Sequence, residues 1–391
     1  MATTDKDLIE PQKIHAYCYC HQCQPRSQQG VALLTILLLV VAIVIVAGSM
    51  LARQKIMVRE YEATKRQGQV KEAVLAGEAF VHEMIAQDSM ANQTDSPQDV
   101  WAKPLPSVPT DNGTISVHIS DEASRFNINN LYHDGKVDDT AVSYFKALLR
   151  SQQIDPAIAN AALDWQDTDS DTTPEGGAEA DYYQSLGQNL GLKQSIANQP
   201  FISVDELINI KGMDKEKLAK LKPLLTAVPY FLPMNVNTVN PVLLSIMPSV
   251  PANAQNNSQN PNQNHNQNAS QPNNQLPTNL TLDMAALNHW ASSRATAMPL
   301  DSVNKLWELP VFASMPANQR QQLAPLLDVQ SRAFRVAITV TYDDKTSYFT
   351  SLLAKVDAPN ASNTTNQANS PAPPKHVIAF QRQFLAMPPA T

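Results

Sequence analysis

The chain has 391 residues, 43% of them hydrophobic, and a formal net charge of −7. That length and apolar content can bury a sizeable core and point to two or three domains, while the acidic balance excludes a protein that coats nucleic acid non-specifically, which needs a basic surface. All the excess acid lies after Gly30, because before it Asp5, Asp7 and Glu10 balance Lys6, Lys13 and Arg26.

Residues 1–30 hold every cysteine of the chain, Cys18, Cys20 and Cys23, with His15 and His21 beside them. A small metal site is one reading, but the spacing matches no zinc-finger pattern, and the segment reads as a cytoplasmic tail. Without it the chain has no cysteine and cannot use disulfides in any compartment. The next stretch, Val31 to Leu51, is apolar and uncharged throughout. At helical rise it spans roughly 30 Å, a bilayer's hydrocarbon thickness. It exceeds the apolar core of a secretory signal, about 7 to 15 residues, and Ala52 runs into Arg53, Lys55 and Arg59 with no small-x-small cleavage site. Residues 31–52 are therefore expected to be a membrane-spanning or assembly helix. Basic residues on both sides, Arg26 before and Arg53, Lys55 and Arg59 after, leave its orientation open.

Helix formers continue without proline after Leu51, and Ile56, Tyr61, Val70, Ala73, Val74, Phe80, Val81 and Ile85 make a broken apolar stripe. One helix of roughly fifty residues is expected. "WAKPLPSVP" ends it, and "TISVHIS" alternates as a strand, so residues 53–138 hold the rest of the helix and the first strands. Three more strands are expected at Phe334–Tyr342, Ser347–Val356 and His376–Phe384, with Asp343 and Asp344 turning the first pair, within a closing segment 329–391. Strands at both ends enclose a helical middle, 139–328, which reads as an insertion into a sheet domain. Two low-complexity segments, 248–279 and 357–374, lack the apolar residues to offset ordering entropy and are expected to be mobile loops.

The middle echoes itself. "SVDELINI" with "KLAKLKPLL" resembles "SVNKLWEL" with "QQLAPLL", two helical hairpins whose Leu and Ile positions read as core. The first, with Gly212 at its turn, looks like a helix-hairpin-helix that could approach a phosphate. Yet Lys211, Lys215, Lys217 and Lys220 alternate with Asp205, Glu206, Asp214 and Glu216, and the second copy has Pro310 at the turn, which favours a structural hairpin.

The densest acidic run is "DWQDTDSDTTPEGGAEADYY". Asp167, Asp169 and Asp171 alternate through turn-favouring residues, and Asp164, Glu175, Glu179 and Asp181 can fold toward them around Gly176 and Gly177. So many carboxylates repel unless a cation neutralises them, and calcium accepts six to eight oxygens with tolerant geometry. A solvated acidic loop, or a general acid and base pair, competes with that reading. Thr172 and Ala178 occupy the positions where an EF-hand needs Gly and Glu, so any calcium loop here is of another kind. No nucleophile elbow, phosphate loop, zinc-protease helix or dinucleotide fingerprint occurs, and an enzyme is not expected.

Gly30 before "VALLTILLLVV" resembles the type IV pilin-like signal, which a prepilin peptidase cuts on the cytoplasmic side. The resemblance places the cut between Gly30 and Val31, followed by methylation of the new terminus, and makes residues 1–30 a leader. The fifth residue from the cut is Thr35, where most pilins and pseudopilins carry Glu, and lacking that glutamate is the hallmark of the minor pseudopilin K family of type II secretion systems. "WAKPLP", "DEASRFNINNL", "LDWQDTDSD", "FISVDELINIKGM" and "MNVNTVNPVLL" resemble that family's blocks in the same order.

The resemblance implies an α+β, pilin-like fold, a long N-terminal helix on a small antiparallel sheet, with a large inserted α-helical domain of two helical-hairpin (SAM-like) halves. It implies structural calcium in that domain, for which Asp164, Asp167, Asp169 and Glu179 match the family's acidic block most closely and Asp171, Glu175 and Asp181 are adjacent candidates. It further implies a non-enzymatic tip subunit that supports protein export, a single-pass anchor in the bacterial inner membrane with the rest in the periplasm, and as partners the I-type and J-type minor pseudopilins, the major pseudopilin and the peptidase, but no nucleic acid. A minor pilin of a type IV pilus, or a membrane-anchored helix-hairpin-helix DNA-binding protein, are the alternatives.

Overall fold

A computed structural model describes residues 29–190, 196–251, 282–356 and 376–388. Residues 1–28 with all three cysteines, most of the Asn/Gln-rich segment and the segment 357–374 lie outside the described residues. The chain divides into two units, one ending at Gln67 and the other beginning at Gly68. Helix α1 runs Gln29–Ala91. In the first unit its apolar side chains from Val31 to Leu51 are exposed, and the Thr35 hydroxyl donates to the Ala32 carbonyl at 2.9 Å.

In the second unit, β1 (Val108–Thr110) and β2 (Gly113–Asp121) are followed by three two-residue strands, β3 (Phe126–Asn127), β4 (Tyr132–His133) and β5 (Lys136–Val137). Helices α2 (Asp139–Ser151), α3 (Ile158–Asp164), α4 (Ala180–Leu190) and α5 (Lys215–Leu221) come next, then β6 (Leu225–Thr226) and β7 (Met234–Asn235). Helices α6 (Pro241–Ser245), α7 (Met284–Ser293), α8 (Val303–Glu308) and α9 (Ala317–Leu323) lead to β8 (Leu327–Asp328) and the long strands β9 (Ala333–Tyr342), β10 (Lys345–Val356) and β11 (His376–Leu385).

The main sheet has the order β1-β2-β9-β10-β11 and is antiparallel throughout. Asp343 and Asp344 close the β9–β10 hairpin at φ 46° and 61°, the left-handed conformation that two-residue hairpin loops demand and that aspartate tolerates. On one sheet face, Val70, Val74, Val81 and Ile85 of α1 bury against Val336, Ile338, Val340 and Leu353, with Trp101 edge-on to Phe334. The other face begins with Ala333 and Leu352, which pack on Ala123, Val228 and Leu232. The period-2 alternation of each strand divides the two cores.

Everything from Glu122 to Arg332 is inserted between the adjacent strands β2 and β9. The helical region therefore starts at Glu122 rather than Asp139: Phe126, Ile128 and Leu131 belong to its core, and β3 pairs with β6 instead of joining the main sheet. The expected hairpin echo is the visible part of a larger tandem pattern. In one half β3 pairs in parallel with β6, and in the other β7 pairs in parallel with β8. Asn129 bonds the Phe201 backbone in both directions, at 2.8 and 2.9 Å, and Asn237 treats Leu300 alike, at 2.8 and 3.0 Å. Each half is thus an Asn-x-Asn segment, helices, and a hairpin that returns as a short strand beside its start, and both hairpins contribute to one core. The first limb of the first hairpin is a 3₁₀ helix over Val204–Asn209, not an α-helix.

The Asn/Gln-rich segment also begins later than position 248. Pro248 and Val250 are buried, because the Gln319 side-chain nitrogen donates to their carbonyls at 3.0 and 2.5 Å.

A buried polar network joins the insertion to the sheet. Lys355 Nζ reaches both oxygens of Asp95 at 2.8 and 2.9 Å, and Asp95 accepts from Ser331 N at 2.8 Å. The Ser331 hydroxyl donates to Asp121 at 2.5 Å, and Thr238 donates to the same carboxylate. Beside them Glu122 accepts from Arg335 at 2.8 Å and from Thr226. Burial pushes the Asp121 carboxyl up to about 7, against the hydrogen bonds from Ser331, Thr238 and Ala123 and reinforced by the nearby Asp95 charge.

Lys355→Met strands the Asp95 charge in the interior, and thermal melts of the detergent-solubilised chain are expected to show a loss of roughly 3–5 kcal/mol. The pH dependence has a definite sign. Between its ordinary value of 3.8 and about 7 the folded protein keeps a proton on Asp121 that the unfolded chain has released. Its contribution is therefore full below about pH 4 and lost as pH rises through about 7. Asp121→Asn is expected to remove that part of the decline when melting midpoints at about pH 5 and about pH 8 are compared.

Candidate functional site

The acidic run forms a bent loop between α3 and α4, and its shape is set by polar contacts rather than by apolar packing. Asp164, at the end of α3 and fully buried, accepts from Thr173 N at 3.1 Å and from Ala178 N at 2.7 Å, drawing both arms of the loop onto one carboxylate. Gly177 passes so close that an added Cβ would collide with the Asp164 carboxylate and the Thr173 carbonyl, so this position excludes a side chain. Asp171 N donates to Asp169 Oδ1 at 2.8 Å, curling the loop's first arm. Asn160 holds the second arm through the carbonyls of Pro174 at 2.8 Å and Glu175 at 3.1 Å.

These restraints bring Asp167, Asp169 and Glu179 together, with one oxygen of each within 4.8 Å of the others. Asp167 Oδ1 and both oxygens of Glu179 are buried without a hydrogen-bond partner. Leaving three acceptors bare is costly unless something else engages them. Burial, then the charges of Asp169, Asp164 and Glu179, push the Asp167 carboxyl up to about 7. Burial and Asp164 raise Glu179 as well, with smaller contributions from Asp169 and Asp171.

The predicted residues thus separate into groups. Asp167, Asp169 and Glu179 converge. Asp164 shapes the loop and adds its charge, and Asp171 lies within electrostatic reach of Glu179. Glu175, at φ 61°, and Asp181, in the first turn of α4, are exposed and do not join the converging group. An all-oxygen, carboxylate-rich donor set with bare lone pairs fits a hard cation such as calcium, and not the nitrogen and sulfur preferences of zinc.

A second acidic group, Asp88, Asp95 and Asp99, is not legible in the sequence. Each of its carboxylates already has a partner: Asp95 has Lys355 and Ser331, Asp99 has Ser96 N at 2.7 Å, and Asp88 has Asn92 at 3.0 Å on one oxygen. At the other end of the chain, Gly30 and Val31 lie in the first turn of α1, with Thr35 four residues beyond Val31.

A family model for "Type II secretion system (T2SS), protein K" matches residues 124–230, a span that contains the acidic loop and the first hairpin. The type II secretion system protein K of Pseudomonas aeruginosa is 31% identical over 243 residues, covering 59% of this chain and 72% of that protein. That of Klebsiella pneumoniae is 28% identical over 341 residues, covering 79% and 95%. Among solved structures, a chain of the GspK-GspI-GspJ complex from the enterotoxigenic Escherichia coli type 2 secretion system shares the fold, with a TM-score of 0.63 at 19% identity over 83% of this chain and 99% of that one.

Proposed function

Because the chain belongs to the type II secretion system protein K family, and is a minor pseudopilin of that system, we propose that it caps the periplasmic pseudopilus as a non-enzymatic tip subunit. The observation that carries this reading is Thr35. In a filament of packed apolar helices a glutamate at this position needs the amine of a neighbouring subunit, whereas a hydroxyl that donates to the Ala32 carbonyl needs none. A subunit with nothing above it can carry threonine there.

The other parts of the reading rest on the same chain. Residues 31–52 anchor the protein once in the inner membrane after cleavage between Gly30 and Val31, and the sheet and its insertion occupy the periplasm. I-type and J-type minor pseudopilins are the direct partners, by analogy with the related complex that contains GspI and GspJ, and the major pseudopilin lies beneath. Nucleic acid is left out, since Lys211 of the first hairpin donates to the Gly177 carbonyl at 3.0 Å and lies over the Tyr182 ring. Calcium is held by Asp167, Asp169 and Glu179, with Asp164 and Asp171 in support, and stabilises the domain by binding the folded state only.

Three measurements test these statements. Gold-labelled antibody on overproduced pseudopili is expected to mark one end of each filament, and label along the shaft overturns the tip assignment. Gly30→Trp is expected to leave the unprocessed, larger band in cell extracts; a mature-sized band removes the cleavage site from this position. Calcium at a hundredfold excess over its Kd is expected to stabilise the detergent-solubilised chain by about 2.7 kcal/mol. Chelator should reverse that gain and Asp167→Asn abolish it, whereas a melting midpoint indifferent to chelator overturns the calcium assignment.

A further inference from the structure

The loop that gathers the carboxylates does not stand alone. Gly177, two residues before Glu179, is held on both sides: its N–H donates to the Thr173 carbonyl at 3.1 Å and its own carbonyl accepts from Lys211 Nζ at 3.0 Å. Ala178 N, the next group along, is fixed to Asp164. The direction in which Glu179 enters the site is set by these contacts, and the one from Lys211 comes from a different element, the turn of the first hairpin.

Further contacts seat that turn against α3 and α4, the helices on either side of the loop. Lys211 N donates to the Tyr183 hydroxyl at 3.3 Å, and Tyr183, fully buried, meets Trp165 edge-on at 5.2 Å. Trp165 stacks in turn with Phe201, which leads into the hairpin, at 6.3 Å. Gly212, at φ +83°, sits so close to Ile158 that an added Cβ would lie 3.1 Å from its Cγ1. The ammonium of Lys211 engages a backbone carbonyl and a ring face at 5.0 Å, not one of the clustered carboxylates, so it does not take the place of a cation.

We propose that Lys211 is a positioning residue for the cation site, and that through its grip on the Gly177 carbonyl the docking of the hairpin 203–221 and the occupancy of Asp167, Asp169 and Glu179 reinforce each other. The inference rests on the calcium reading above. A cation that draws Glu179 inward tightens the Gly177 backbone against Lys211, and a docked Lys211 holds Glu179 where the cation needs it. Linkage makes the effect reciprocal: whatever the hairpin adds to calcium affinity, calcium adds to hairpin docking.

The test uses the mature full-length chain in detergent. Calcium titration by calorimetry is expected to give Lys211→Met a Kd about tenfold weaker than the unmodified chain, the scale of one charge-assisted hydrogen bond, with Lys211→Arg recovering to within about threefold. A purely structural lysine would lower the calcium-free melting midpoint and leave the Kd in place. Hydrogen exchange on the unmodified chain is the second measurement: chelation should raise exchange selectively over 204–213. If Lys211→Met does not fold, Tyr183→Phe, which removes the other hydrogen bond to this turn, takes its place and should also weaken calcium. Equal or tighter calcium binding in Lys211→Met, or unchanged exchange over 204–213 in a chain that binds calcium, overturns the proposal. Failure of the unmodified chain to bind calcium overturns the calcium reading itself, and this inference with it.

Discussion

The fold depends on the buried polar junction where the insertion leaves and rejoins the sheet. Asp121 is the last residue of β2 and pairs with Phe334 near the start of β9, so the chain departs and returns at neighbouring points. A large domain on so narrow a base could pivot if only apolar contacts held it. Asp95, Asp121, Asn235, Ser331 and Lys355 replace that freedom with directional bonds that fit one arrangement. Buried charges contribute little net stability compared with apolar residues of the same volume, but each is costly to leave unpaired. A network in which every member has a partner therefore penalises alternative seatings more than it deepens the correct one.

The same logic operates inside the insertion. Its helices are short, and its parallel strands are two residues long, too short to organise a domain by ladder hydrogen bonds. Asparagine side chains extend those ladders. Asn127 donates to the carbonyls of Val228 and Tyr230 and accepts from Val228 N, acting as an additional backbone amide inside the core. Asn129 and Asn237 do so at matching places in the two halves, where each meets the residue just before its hairpin. The halves thus share a closure rule while differing in content, and the carboxylate loop belongs to the first.

Local periodicity makes part of this fold legible in the sequence. The Val70, Val74, Val81 and Ile85 part of the α1 stripe, the alternation of β2, β9, β10 and β11, and the Asp343-Asp344 turn each depend on near neighbours and stand where the pattern puts them, whereas Ile56, Tyr61 and Phe80 of the same stripe are exposed. The Asn-x-Asn segments do not read as structural, because their partners lie far along the chain and a buried amide looks in sequence like any turn residue. For the same reason the start of the insertion reads too late, and Pro248 and Val250 read as loop although Gln319 holds their carbonyls. Within the acidic run, composition identifies the region but not the subset. Glu175 and Asp181 are as acidic and as near in sequence as Glu179. The pair of hydrogen bonds to Asp164, the close passage of Gly177 and the hold of Lys211 on the Gly177 carbonyl determine which carboxylates turn inward.

That geometry bears on what a cation does here. Bonds from Thr173 and Ala178 to Asp164, and from Asn160 to the loop's second arm, fold the loop without using any oxygen that remains bare in the cluster. The backbone entropy of ordering this segment is therefore offset by contacts that a cation neither makes nor breaks. What is left for a cation is the repulsion among carboxylates and the bare acceptors of Asp167 and Glu179, both electrostatic. A metal bound here would act as a neutraliser of a pre-bent loop rather than as its folding nucleus. Its influence would then extend only as far as the backbone it tightened, which runs through Gly177 to the hairpin turn at Lys211.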